Sequence, residues 1–173
     1  MKVEIKPITS PMTPQYVLGK LRQAEKDEFD ALGASTDQIV GMTGNSPIRF
    51  AALLNNEPVF CFGASPTFSH VVHVWGYGTD KAVRVLPEMT RFIRNELIKN
   101  LSKAGITRAE VRVSEHNTDS INWFEKYLKA TRECELKDMG RDGSRFIQYS
   151  WQITDHFEEF GHKTIDLVAE EQE

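Results

Sequence analysis

The segment HVVHVWGYG (His70–Gly78) carries the side chains of this chain best suited to chemistry. Read as a strand it alternates, so His73, Trp75 and Tyr77 share one face while Val72, Val74 and Gly76 share the other. A neutral imidazole accepts a proton near pH 7, so His73 on a polar-aromatic row lining a cleft would act as a general base. The competing reading makes it a hydrogen-bonded histidine of the sheet. Just downstream, in GTDKAVRVLPEMTRF, Lys81 and Arg84 would meet a phosphate by charge, or form a solvated basic junction between strand and helix. His116 sits at a helix entry and reads as a surface residue. The histidines fall at no ligand spacing with Cys61 and Cys134, so no metal site is expected. The sequence has no Walker phosphate loop and no nucleophile elbow.

The elements that must position these residues follow from periodicity and punctuation. Val3 and Ile5 alternate with charges as a short strand before Pro7, Pro11 and Pro14. Thr13 as cap and Pro14 at the first position predict one helix over Gln15–Leu32, with Val17, Leu18, Leu21, Phe29 and Leu32 inward and Gly33 ending it. Residues 34–47, with Gly41, Gly44, Asn45 and Pro47, read as a helical turn and a loop. IRFAALL, NNEP and VFCFGA form a hairpin of two strands so apolar that both sheet faces must be covered.

Strand 70–78 comes next, then an amphipathic helix over Pro87–Lys103 with Met89, Phe92, Ile93, Leu97 and Leu101 on its stripe. Arg91, Arg94, Lys99 and Lys103 make its wet face, or a surface for an acidic partner. Strand 108–114 and a helix capped by Thr118 or Asp119 and running to about Lys129 follow. Of the adjacent Trp123 and Phe124, one packs inward and the other points aside. TRECELKDM and SRFIQYSWQI flank a hairpin turn at Arg-Asp-Gly. A right-handed crossover makes strands 70–78 and 108–114 parallel. The fold class is α/β (α+β), a mixed central sheet of about six to seven strands with helices on both faces.

At 173 residues the chain holds one core, here placed in residues 1–153, followed by an acidic C-terminal tail over 154–173 that would order against a partner. A net charge of −4 argues against coating nucleic acid. No apolar run approaches the roughly 20 residues that cross a bilayer, so no membrane segment is expected. The start, MKVEIKPITSPMTP, lacks the apolar stretch of a signal peptide, and two cysteines make no disulfide framework. Both thiols are expected reduced in or near the core, in a cytosolic compartment.

The order of elements resembles the GNAT N-acetyltransferases, and HNTDSINWFEKYLKA (His116–Ala130) resembles that family's last helical motif through Asn117 and Glu125-Lys126. The stretch Ala52–Ile153 is also similar to the internal virion protein A family of short-tailed phages. The matching residues are Thr79-Asp80, Arg84, Asn117-Thr118, Ile121 and Arg141-Asp142-Gly143. LRQAEKDEFDALG looks like the leading helix of phage acetyltransferase-like proteins.

The GNAT resemblance implies acetyl-CoA held between two splayed parallel strands, with a bulge in the fourth strand freeing amides for the thioester carbonyl. It also implies a glycine-rich turn wrapping the pyrophosphate. In that scheme Trp75 and Tyr77 belong to the cofactor site, the amides after Trp75 polarise the thioester, Lys81 and Arg84 hold pyrophosphate, and Asn117 contacts the pantetheine arm. The sequence departs from it twice. Val83 to Phe92 contains no glycine and Pro87 removes a donor. The family's tyrosine acid falls at Phe124, leaving Tyr127, one turn later, to protonate the thiolate.

Two functional readings follow. The leading one is a catalytically degenerate phage GNAT-fold protein, acting in virion assembly or as a virion-associated protein through contacts with phage virion or host proteins, in the host cytoplasm and the virion. The alternative is an active acetyl-CoA-dependent N-acetyltransferase modifying a host protein or small amine. A module that binds coenzyme A without turnover lies between them.

Overall fold

A computed structural model describes residues 1–153, and the tail expected over 154–173 lies outside the described residues. Seven strands form one sheet in the order β1-β2-β3-β4-β5-β7-β6. They are β1 (Val3–Pro7), β2 (Ile48–Leu54), β3 (Glu57–Phe68), β4 (Val71–Gly78), β5 (Arg108–Ser114), β6 (Thr131–Leu136) and β7 (Phe146–Gln152). Every neighbouring pair is antiparallel except β4 and β5, which run parallel as the crossover argument requires.

Helices cover both faces. On one side α1 (Met12–Leu18), α2 (Gln23–Leu32) and α3 (Thr36–Asn45) pack Val17, Leu18, Ile39 and Phe29 against Ala51, Cys61, Trp75 and Tyr77. On the other, α4 (Leu86–Phe92) and α5 (Ile98–Lys103) are joined by a π-helical segment, Ile93–Leu97. They pack Met89, Leu97, Ile98 and Leu101 over Phe60, Phe62, Ala109 and Val111, beside α6 (Thr118–Asn122) and its π-helical extension Trp123–Tyr127. The apolar runs of β2 and β3 therefore meet both layers.

Several local expectations are corrected. The single helix over Gln15–Leu32 is two, because the chain between them is recruited by the sheet. Leu21 bridges to Thr79, and the Arg22 amide donates to the Gly78 carbonyl at 3.0 Å. Helix α1 starts at Met12 after Pro11, so neither Thr13 nor Pro14 caps it. Gly33 ends α2 at φ +67°, a conformation glycine adopts without strain. Residues 34–47 hold a full helix, started by a reciprocal Ser35–Gln38 capping box that outweighs Gly41 and Gly44.

The Arg141-Asp142-Gly143 turn lies inside a longer connection over 137–145 rather than forming a tight hairpin. Its form is set by the Gly143 amide donating to the Gly140 carbonyl and by Ser144 donating to Asp142. Cys61 is buried as expected, but Cys134 is exposed on the edge strand β6, which no helix covers among the described residues. Trp123 is buried and Phe124 packs beside it, tilted against it at 5.7 Å and touching Tyr149 and Trp151. The wider π-helical turn narrows the angle between successive side chains, so neither points aside.

Candidate functional site

The site begins where the sheet splits. β4 pairs with β5 only at Val71↔Arg108, Val72↔Ala109 and His73↔Glu110, although β4 continues to Gly78 and β5 to Ser114. Each arm follows its outer neighbour instead. β4 stays registered on β3 from Pro66↔Val72 to Phe60↔Gly78, and β5 stays registered on β7 along its whole length. The two half-sheets diverge above His73, and the main-chain groups of residues 74–77 that face β5 have no ladder partner among the described residues, while the Gly78 carbonyl is taken by the Arg22 amide. The bulge that the resemblance implied in the fourth strand is not seen along Val72–Gly78. The irregularity between β3 and β4 lies at Pro66/Phe68, near the start of β4, so amides come free by divergence of the strands rather than by a bulge.

A cavity of about 540 Å³ fills the fork and passes through the sheet. Its walls are mainly apolar, from Phe60, Phe62, Leu97, Val111 and Trp123 on one side to Phe29, Ile39 and Trp75 on the other. Leu32 and Met42, both exposed, stand at the α2–α3 side of the opening. Leu32 therefore borders the cavity rather than joining the core.

Glu28 of α2 also lines this cavity, and the sequence reading did not single it out. The Ser114 amide donates to its Oε1 at 2.7 Å and the Asn117 side-chain amide at 3.3 Å, while Oε2 accepts nothing among the described residues. Burial pushes the Glu28 carboxyl up to about 7, against the pull of those two hydrogen bonds. A carboxyl that titrates there can take a proton from an amine at neutral pH. Its sequence signal was slight: an acid four residues before Leu32, on the same helical face, in a helix rich in acids.

His73 lies half-buried at the vertex of the fork and lines the cavity. Burial, with Arg112 adding to it, holds its pKa below the usual histidine value, so the imidazole is neutral at pH 7. Trp75 and Tyr77 share its face and stack at 5.9 Å. Trp75 Nε1 donates to Ser46 Oγ at 2.9 Å and the Tyr77 hydroxyl pairs with Thr43 Oγ1 at 2.8 Å, which pins α3 to β4. Gly63 makes room for the indole, since a Cβ there would meet Trp75 Cζ2 at 2.5 Å as well as the Ile48 carbonyl.

Asn117, 3% exposed, is the N-cap of α6 in place of Thr118 or Asp119: its Oδ1 accepts from the Ser120 amide while Nδ2 holds Glu28. It lines the cavity together with Ser120 and Phe124, which stand one turn apart on α6 and its extension. Tyr127 is 59% exposed and does not line the cavity; its carbonyl accepts from Arg94 at 2.6 Å, which ties the two π-helical segments together.

Four amides of the turn from β4 to α4 are spent internally. The Ala82, Arg84 and Val85 amides donate to the carbonyls of Thr79, Lys81 and Ala82 at 2.9 to 3.0 Å, and the Lys81 amide donates to Thr79 Oγ1 at 3.3 Å. A short 3₁₀ turn, Ala82–Arg84, takes the place of an open loop. Lys81 Nζ is paired with Glu57 at 2.5 Å, and Arg84 is exposed without an ion pair among the described residues. Neither lines the cavity. On the other flank, Arg141 holds the C-terminus of α2: its amide donates to the Ala31 carbonyl at 2.7 Å and its guanidinium to the Asp30 carbonyl at 2.7 Å. Among the described residues no cluster of His, Cys, Asp and Glu could hold a metal ion, and no helix is long and apolar enough to cross a membrane.

No protein-family profile and no curated protein matches the sequence. Solved structures do match the fold. Ard1 from Thermoplasma volcanium superposes with a TM-score of 0.71 at 13% identity, covering 88% of this chain and 98% of that one. The ribosomal-protein-S18-alanine N-acetyltransferase from Escherichia coli gives 0.65 at 15%, covering 88% and 94%. An acetyltransferase of the GNAT family from Bacillus anthracis gives 0.65 at 15%, covering 89% and 96%. The chain therefore has the GNAT fold, a seven-stranded mixed sheet with helices on both faces, and identities this low carry the likeness no further than the fold.

Proposed function

We propose that this chain transfers an acyl group from a pantetheine thioester to an amine, with Glu28 as the general base. The observation that carries the reading is Glu28 itself, a carboxyl titrating at about 7 inside the fork cavity of a GNAT fold. The extended pantetheine arm carries amides that can pair with the main chain of β4 where β5 has turned away. Glu28 removes the amine proton as nitrogen bonds to the thioester carbon, the unpartnered β4 amides stabilise the oxyanion, and the C–S bond breaks. The departing thiolate then regains a proton from water. His73, neutral at the vertex, is the second base candidate, and Asn117 is a positioning residue that holds both α6 and Glu28. The test is mass-spectrometric detection of an acetylated amine after incubation with acetyl-CoA. A product that depends on protein and is lost in E28Q supports the reading; wild-type protein that yields none over the buffer blank ends it.

A second reading, in which the chain acts without turnover through protein contacts in phage assembly, is favoured by the spent amides of the β4–α4 turn and by Phe124 at the acid position. It calls for proteomics of purified particles and assembly intermediates, where absence of the chain from both counts against it. Under this reading the tail over 154–173 is the segment whose deletion weakens partner binding.

A further inference from the structure

We infer that the donor site recognises the pantetheine arm alone and has no subsite for the nucleotide, so the substrate class is pantetheine thioesters whatever they are attached to. This rests on the acyl-transfer reading and names its donor. A diphosphate is held at such a turn by main-chain amides that converge on it, and their value lies in having no other partner. Here four of the turn's amides, those of Lys81, Ala82, Arg84 and Val85, already donate within it, and the Val83 amide stands alone between engaged neighbours. Opening them to a ligand would break the 3₁₀ turn, and no glycine from Val83 to Phe92 relieves the dihedral cost.

The side chains give no substitute. Lys81 is engaged by Glu57, the exposed Asp80 adds a negative charge, and Val83 presents an isopropyl group to solvent at 64% exposure. Pro87, in the first turn of α4, has no amide to offer. Arg84 alone is a free cation among the described residues of the turn, and one exposed charge in water contributes little. The fork cavity is the reverse case: it is large, mostly apolar and bordered by unpartnered β4 main chain. Binding energy for the donor therefore resides in the arm and not in the nucleotide.

The experiment compares acetyl-CoA, S-acetylpantetheine and an acetyl group on a phosphopantetheine carrier protein as donors to one amine, with 3′,5′-ADP as a competitor. The two free thioesters are expected to agree in kcat/KM within about threefold, with Arg84→Ala leaving that ratio unchanged and ADP failing to compete at millimolar concentration. Transfer from the carrier alongside them supports the inference with a protein-borne source. Rejection of the carrier while the free thioesters stay equal supports it with a small-molecule source. A preference for acetyl-CoA above about thirtyfold, or competition by ADP, overturns the inference and leaves acyl transfer standing. Failure of all three donors overturns both.

Discussion

Glu28 Oε1 receives the main-chain amide of Ser114 at 2.7 Å, a bond that joins the middle of α2 to the free end of β5. It fixes one arm of the fork to the helix beside the cavity and leaves the second carboxylate oxygen unbonded among the described residues. Position and proton affinity thus come from one arrangement: burial raises the pKa, and the amide and Asn117 set the orientation.

The pH dependence of stability follows from that raised value. Between the ordinary carboxyl pKa of 4.5 and the folded value of about 7, the unfolded chain releases the Glu28 proton while the folded chain keeps it. The folded state binds more protons in this window, so the contribution of Glu28 falls as pH rises through it and is fully lost above about 7. E28Q, which cannot ionise, is expected to show a flatter melting-temperature profile between pH 5 and pH 8 than the wild type and to melt higher at the alkaline end. Parallel profiles for the two proteins would contradict this.

Asn117→Ala removes the N-cap of α6 and one of the two hydrogen bonds to Glu28. The cap costs about 1 kcal/mol in a denaturant melt. Loss of the bond that favours the charged carboxyl raises the Glu28 pKa further, so any rate that depends on its ionisation shifts to higher pH. A merely structural residue would lower stability without moving the pH profile.

Arg141→Ala leaves the main-chain bond to Ala31 but removes the guanidinium bonds to the Asp30 carbonyl. The expected loss is about 1 kcal/mol, with faster amide exchange at the C-terminal turn of α2. Unchanged exchange there would show that the main-chain contact alone fixes the helix end.

Gly63→Ala would drive a methyl group into the Ile48 carbonyl and the Trp75 ring. The strain is expected to cost about 2 kcal/mol or more and to loosen the Trp75–Ser46 bond, seen as a shift in tryptophan emission. Retained stability and an unshifted spectrum would contradict the close packing at this position.

Much of the architecture was legible in the residues. Strand alternation, the apolar hairpin and the Pro87–Lys103 stripe each report short-range periodicity, and the parallel pair followed from crossover handedness. The break between α1 and α2 was not legible, because Leu21 and Arg22 leave the helix to bond to Thr79 and Gly78, far along the chain. Helix α3 was available in the Ser35–Gln38 spacing but was masked by its glycines. The site was harder to read. His73 and the glycine-free turn stand out as letters, whereas Glu28 is one acid among several in α2 until tertiary burial separates it from Asp27 and Asp30. Desolvation is a property of the assembled cavity, and no local pattern encodes it.

The central claim is that Glu28 removes the proton from the attacking amine, and the pH–rate profile of acyl transfer for wild type and E28Q tests it most directly. The account predicts a wild-type rate that climbs to a plateau through about pH 7 and a folded E28Q slower by about two to four powers of ten. Equal rates in the two proteins, or a wild-type profile flat across that range, would contradict it.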